Sequence, residues 1–441
     1  MSAVGASAGM PMPPPAWAAV LSPRLAHRLR WRNVLVECVL LLAIGYNFLL
    51  AVVNAKVFTV RPAMTYVVEF VLYGACFVLG IWSLDRRRAA LVVGGLGFIV
   101  LLALVRFFVA WQFDPKFLRD ALIPFAFLVL GCAYRGSVPR LFVRMTLVIA
   151  LVAAFELAMP ATYGDVVNPK SYFVNARGFS ASGFWNEDSN LFVSATRPGA
   201  RNFLPGSNLP RASSVFIEPV TMGNYIIFFM AVLLAFRRWL SGWKQLLSFG
   251  LIGFLIVASD GRLAAGTCVL MLLAAPILRR LDQRLAFALF AAVLLGGWAL
   301  VSAAGVQAYE DTMLGRIFFT VDSMSRLSLQ AWLGLDINAA YRYFDSGIAY
   351  FVVSQSIFVV LAFLLAYSFL MILPGREGQA FKHLAILAFA LSLLVSNGYF
   401  SIKTAALWWF VCGWLWQGAP VLPSARQLWQ QRSAVPAGPP P

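Results

Sequence analysis

Runs of apolar residues close to bilayer length recur along this chain, and they decide its fold class before any other feature does. About 20 apolar residues cross a hydrocarbon core as a helix. Inside lipid such an element has to satisfy its backbone polar groups itself. The 441 residues are 61% hydrophobic and 12% charged, where an ordinary soluble domain carries about 25% charge. The runs are apolar throughout rather than alternating, which argues against a transmembrane β-barrel. The expected fold class is all-α: a polytopic integral membrane protein with about 12 transmembrane helices.

Spans are expected near residues 33–53, 63–84, 89–111 and 121–133, with a fifth ending near Met159 and a sixth near Phe236. A hairpin follows around Ser259-Asp260-Gly261-Arg262, then a span over 285–305, an uninterrupted one over 347–373, and a last pair flanking Asn397-Gly398-Tyr399. Asp114, Lys116, Arg119 and Asp120 fall in the short loop before the fourth span. Two long polar segments, 160–212 and 306–346, interrupt the pattern, and the first, rich in Asn, Gly, Ser and aromatics, is expected to fold as a cap. Residues 1–22 read as a disordered tail, 23–418 as one membrane domain and 419–441 as a basic tail.

The net charge of +17 is not gathered on one basic face. Much of it lies in short clusters between apolar runs, as the positive-inside rule requires, so nucleic acid is not an expected partner and both termini are expected in the cytoplasm. The two long segments then lie outside. Cys38, Cys76, Cys132, Cys268 and Cys412 all lie in apolar runs with no C-x-x-C pair; such cysteines behave as small hydrophobes, and neither a disulfide nor a metal or other cofactor is expected. No Walker loop, G-x-G-x-x-G or H-E-x-x-H is present.

What the positive-inside pattern does not explain is the arginines on the outer side. Arg106, Arg119, Arg177, Arg197, Arg201, Arg211, Arg262, Arg316, Arg326 and Arg342 fall there or at the outer membrane edge. Long loops translocate regardless of charge, so Arg177, Arg197, Arg201 and Arg342 fit solvated loop charge equally well. Arg106 and Arg211 border apolar segments, and a guanidinium is suited to gripping phosphate because its planar fork donates paired hydrogen bonds. A lipid-linked diphosphate is the ligand this suggests.

Arg211 opens the stretch Arg211-Ala212-Ser213-Ser214-Val215-Phe216-Ile217-Glu218-Pro219, which leads into the sixth span. Glu218 is a candidate general base, and equally a structural carboxylate paired with Arg211 or capping the helix. Pro219 disfavours helical geometry at Glu218 and suits a helix start. Arg316, Arg326, Arg262, Arg106 and Arg119 are candidate substrate-binding residues, with Asp345 either a helix cap or a substrate contact. Glu37, Glu69 and Glu156 lie in apolar runs and read as inter-helix hydrogen-bond partners rather than a proton relay.

Arg211-x-Ser213-x-x-Phe216-x-Glu218-Pro219-x-x-x-Gly223, Ser259-Asp260-Gly261-Arg262-Leu263-Ala264 and Asp345-Ser346-Gly347-Ile348-Ala349-Tyr350 together resemble motifs of Wzy-type polysaccharide polymerases and the related O-antigen ligases. The resemblance covers roughly residues 30–418. It implies a metal-independent glycosyltransferase of the GT-C type in the bacterial inner membrane. Such an enzyme joins undecaprenyl-diphosphate-linked oligosaccharide repeat units at the periplasmic face during exopolysaccharide or O-antigen synthesis. It implies that Arg211, Arg316 and Arg326, and less directly Arg262, hold the diphosphate and the acceptor. A chain-length regulator, a flippase and an export complex are the partners it implies, besides the surrounding membrane lipid. The ligases carry a catalytic histidine in the second large loop, and this chain has none between His27 and His383. That favours polymerase over ligase and leaves Glu218 as the base candidate. The alternatives are a ligase moving polymer onto lipid A core and a transporter of lipid-linked sugars.

Overall fold

Helices account for all the regular structure in the computed structural model, which describes residues 23–199, 201–343 and 345–418; among these there are no strands. The tails expected at 1–22 and 419–441 lie outside the described residues. Five helices precede the first long loop: α1 (Pro23–Lys56), α2 (Pro62–Gly80), α3 (Arg86–Ala110), α4 (Pro115–Ala133) and α5 (Val138–Ala158). The loop carries α6 (Pro160–Val167) and α7 (Pro169–Arg177). Next come α8 (Pro219–Phe236), α9 (Gly242–Ser259), α10 (Arg262–Leu278) and α11 (Ala286–Ala304). The second loop carries α12 (Met313–Ser325) and α13 (Leu329–Trp332), and α14 (Gly347–Gln355), α15 (Ile357–Leu365), α16 (Gly375–Leu393) and α17 (Ile402–Gln417) follow it. Among the described residues, seven helices are long and apolar enough to cross a membrane, or eight if the bent α14–α15 pair forms one span.

Local chemistry sets where these helices begin. Proline occupies the first helical position of α2, α4 and α8, where its missing N–H and fixed φ suit a helix start. Asp85 caps α3 by accepting from the Arg87 and Arg88 amides, and Asp114 caps α4 by accepting from the Lys116 amide. The fourth helix therefore starts at Pro115 rather than near residue 121. Lys116, Arg119 and Asp120 sit in its first two turns and not in a loop.

The span expected to run unbroken over 347–373 is broken. Ser356 adopts φ 84°, and α15 leaves at 106° to α14. Apolar residues continue on both sides, so hydropathy does not mark the break. Other helices bond to the break: Arg106 Nη1 donates to the Ser354 carbonyl at 2.8 Å, and the Gln355 side-chain amide donates to the Phe117 carbonyl of α4 at 2.7 Å.

α8 is the axis of the bundle. Every residue from Thr221 to Phe236 is buried, against α9, α10, α16 and α17. α17 also packs along α4 so closely that a Cβ on Gly131 would lie 2.1 Å from the Phe410 carbonyl oxygen, and one on Gly413 2.0 Å from that of Leu128. Small residues at such a crossing let two backbones meet. α3 is the opposite case: only Arg88, Val92, Ile99 and Arg106 are buried, one stripe of an otherwise exposed apolar helix.

The two long loops meet at one end of the bundle, where Arg197 of the first pairs with Asp311 of the second. The α9–α10 turn joins them through Arg211 and Asp260, and the start of α4 joins through Asp114, which accepts from Tyr341. The first loop is folded, around a small core of Tyr163, Tyr172, Phe173, Phe192 and Ile217.

Candidate functional site

Two polar clusters are built at the loop end. The first surrounds Glu218. The stretch before α8 is held by Glu156 of α5, whose carboxylate accepts from the Ser213 and Ser214 amides at 2.8 and 2.6 Å and from the Ser213 hydroxyl at 2.7 Å. The Ser214 hydroxyl donates to the Ile149 carbonyl, and Tyr163 donates to the Ser214 carbonyl. These bonds hold Ser214 and Ile217 at φ 52° and 55°, a conformation non-glycine residues seldom adopt. The hydroxyl pair in the sequence is thus an anchor for the segment that presents Glu218. Glu218 itself is extended, at φ −137° and ψ 120°, and stands at the N-terminal, positive end of α8, where its side chain makes no capping bond to a backbone amide.

Glu218 does not pair with Arg211. Its carboxylate accepts from Lys403 Nζ at 2.8 Å and from the Thr221 hydroxyl, and Lys403 also donates to the Phe216 carbonyl at 3.3 Å. Burial would raise the Glu218 pKa, but the Lys403 ammonium, its hydrogen bond and the Thr221 hydroxyl together bring it below the usual carboxylate value. Arg177 of α7 stands within electrostatic range of the pair. Its guanidinium donates to Asn47 Oδ1 at 2.9 Å and the Tyr46 hydroxyl at 3.2 Å, and lies 3.5 Å from Glu69. Burial would lower its pKa, and Tyr46, Tyr172 and Glu69 outweigh that and raise it. Arg119 continues the network, 3.0 Å from Glu69 and bonded to Asp120, which accepts from Tyr350 at 2.7 Å. Arg119, Arg177 and Lys403 balance Glu69, Asp120 and Glu218.

The second cluster gathers Asp260, Arg197, Arg262 and Arg201 around Arg211. Asp260 is 3.2 Å from Arg211 and accepts from the amides of Asn202 and Phe203, so it ties the end of the first loop to the α9–α10 turn. The expected tight turn is present, with Asp260 at φ 52°, and its carboxylate is part of the cluster. Arg201 donates to the Pro210 and Ala258 carbonyls and serves the end of α9. Arg316 is 2.9 Å from Asp311 and 3.5 Å from Asp345 and so joins through the Arg197–Asp311 pair. Five arginines thus face three aspartates, Asp260, Asp311 and Asp345, an excess of two positive charges.

The expected site residues are therefore divided. Glu218 and Arg119 lie in the first cluster; Arg211, Arg262, Arg316 and Asp345 lie in the second. Asp345 does not cap α14: Ser346 does, and Asp345 accepts from Tyr309 at 2.9 Å. Arg326 is exposed and paired with Asp322 one turn back, apart from both clusters. Arg106 is buried at the α14–α15 break. Glu37 accepts from Tyr134 and Arg144, which with Glu69 places two of the membrane glutamates in inter-helix bonds, whereas Glu156 bonds the loop segment at Ser213 and Ser214.

Lys403 and the pairing role of Asp260 were not legible in the sequence. A lysine near a helix end also reads as one that reaches along its own stem to the interface, and Asp-Gly is an ordinary turn pair. Among the described residues no group of three or more His, Cys, Asp or Glu could hold a metal ion. No protein-family model matches the chain, and no curated protein or solved structure is significantly similar to it.

Proposed function

We propose that this protein is a polysaccharide polymerase of the bacterial inner membrane, of the GT-C type, with about twelve spans and the two loops on the periplasmic side. It would extend a glycan from oligosaccharide repeat units carried on undecaprenyl diphosphate. The observation that carries this reading is the arginine-rich cluster that both loops build beside the segment bearing Glu218. An excess of fixed positive charge, preorganised and partly buried, suits a diphosphate leaving group. Such electrostatic stabilisation is commonly the largest catalytic contribution.

In this reading an acceptor hydroxyl oxygen attacks the anomeric carbon. The bond from that carbon to the diphosphate oxygen breaks, and the diphosphate departs with the bonding pair. Arg211, Arg316 and Arg262 hold it. Glu218 takes the hydroxyl proton. Lys403 keeps Glu218 ionised and also makes it a weaker base than one tuned toward neutrality. The arginines therefore carry more of the rate than the base does.

The test is product length. Purified protein is reconstituted with a lipid-linked repeat unit and the products are sized on a gel, with Glu218→Gln in parallel. A ladder from the native protein that Glu218→Gln loses is the expected outcome. No ladder, with the unit crossing the bilayer unchanged, would replace the polymerase with a transporter; modification of lipid A core would replace it with a ligase.

A further inference from the structure

A cavity of about 490 Å³ opens between α3, α4, α15 and α17, with Asp120 of the first cluster on its wall. The rest of its wall is mostly apolar side chains such as Phe98, Phe125, Phe363 and Trp409. A smaller cavity of about 20 Å³ adjoins it, since Ile99, Gln355 and Val359 line both. Arg106 lines the smaller one together with Asp114, and is the only cation lining either.

Arg106 is 8% exposed, and while Nη1 bonds the Ser354 carbonyl, Nε and Nη2 are buried without a partner. Those two nitrogens form one edge of the guanidinium, the edge that donates in parallel to two phosphate oxygens. Leaving them unpaired in an apolar setting is costly. Gly334, at φ 70°, closes over this edge: a Cβ there would lie 2.7 Å from Nη2.

The depth fits a lipid phosphate. Arg106 lies four residues before the end of α3 at Ala110, about 6 Å along the axis. Trp111 and Phe113 just beyond are 77% and 56% exposed, as aromatics at a membrane interface are. From Arg106 the cavity follows α3 toward Ala90, about 24 Å of helix, room for an extended acyl chain. One guanidinium that is in no ion pair matches the single charge of a phosphodiester, whereas a diphosphate suits the cluster of five arginines.

We propose that the α14–α15 break creates a binding site for one anionic phospholipid of the surrounding bilayer. Its phosphate sits on the Nε–Nη2 edge of Arg106 and one acyl chain fills the groove. This site is independent of the reacting lipid and of the polymerase reading.

Native mass spectrometry of the detergent-purified chain tests it with phosphatidylglycerol and with diacylglycerol of the same chains. The expected result is one retained phosphatidylglycerol and at least about tenfold less diacylglycerol, since the charge-assisted phosphate contact is absent. Arg106→Gln should remove that preference. Gly94→Leu should remove retention of both, because Gly94 lines the groove and a Cβ there meets nothing within 4 Å. Should Arg106→Gln fail to fold, the native preference and Gly94→Leu decide. Equal retention of both lipids by the native protein, or unchanged retention by Gly94→Leu, overturns the site. Displacement of phosphatidylglycerol by equimolar polyprenyl phosphate overturns the phospholipid assignment.

Discussion

Glu218 shows how a single contact changes what a residue can do. Without Lys403, burial would favour its neutral form; with Lys403 at 2.8 Å its pKa is held below the usual range. A lowered folded-state pKa gives stability that is present above the unfolded value, about 4.3, and is lost as pH falls through the folded value. Melting in detergent should therefore show an acid limb below about pH 4 to which Glu218 contributes. In Lys403→Met the Glu218 part of that limb should disappear, because burial alone raises its folded pKa above the unfolded value and protonation then favours the fold as pH falls; the loss of stability at neutral pH should be on the order of 3 kcal/mol, the usual result of stranding one partner of a buried pair. An unchanged limb would remove Lys403 from this role. Arg211 supplies a second test. Arg211→Lys keeps the charge opposite Asp260 and loses the fork, so repeat-unit polymerisation should fall by about tenfold or more. Full activity would confine Arg211 to holding the α9–α10 turn.

At the scale of elements, the α4–α17 crossing is the closest backbone approach that side-chain size controls. Gly131 and Gly413 face carbonyl oxygens with no room for a methyl group. Gly413→Val should destabilise the protein by about 1–3 kcal/mol or more, read as a lower melting temperature. Because α17 also positions Lys403, the same change should reduce activity without touching the site. Gly250→Val, where a Cβ meets nothing within 4 Å, is the control and should be close to neutral. Equal melting of the two variants would mean the crossing adapts. Hydropathy located most of these helices within a few residues. It failed at the start of α4, where the Asp114 cap and Pro115 outweigh the charges that follow, and at Ser356, where a backbone conformation rather than a polar residue ends α14.

The whole molecule places both loops at one end, through the Arg197–Asp311 pair, and arginines such as Arg279 and Arg280 at the far end of α10. In a Cys38→Ser background, the variants Ser180→Cys and Ser325→Cys should react with a membrane-impermeant maleimide from the same side of sealed vesicles, and Arg280→Cys from the other. All three positions are exposed. Labelling of the first two from opposite sides would refute the arrangement. It is this gathering of loops that splits the expected site. Residues as close in the chain as Arg211 and Glu218 face different partners, because Glu156 and the Ser213-Ser214 anchor turn the backbone between them.

By itself the sequence determined the helical membrane class, the positions of most apolar helices, the folded character of the first loop and the presence of many arginines in and around the two loops. These follow from hydropathy, capping residues and charge, which act over a few neighbouring residues. Only the tertiary structure decided that Lys403, nearly two hundred positions away in the chain, neutralises Glu218, that Asp260 and not Glu218 receives Arg211, and that Arg106 stands at a broken helix with an unpaired edge. Such pairings depend on which helix ends meet across the bundle. Packing of small residues and anchoring bonds set those meetings, and neither leaves a local pattern in the chain.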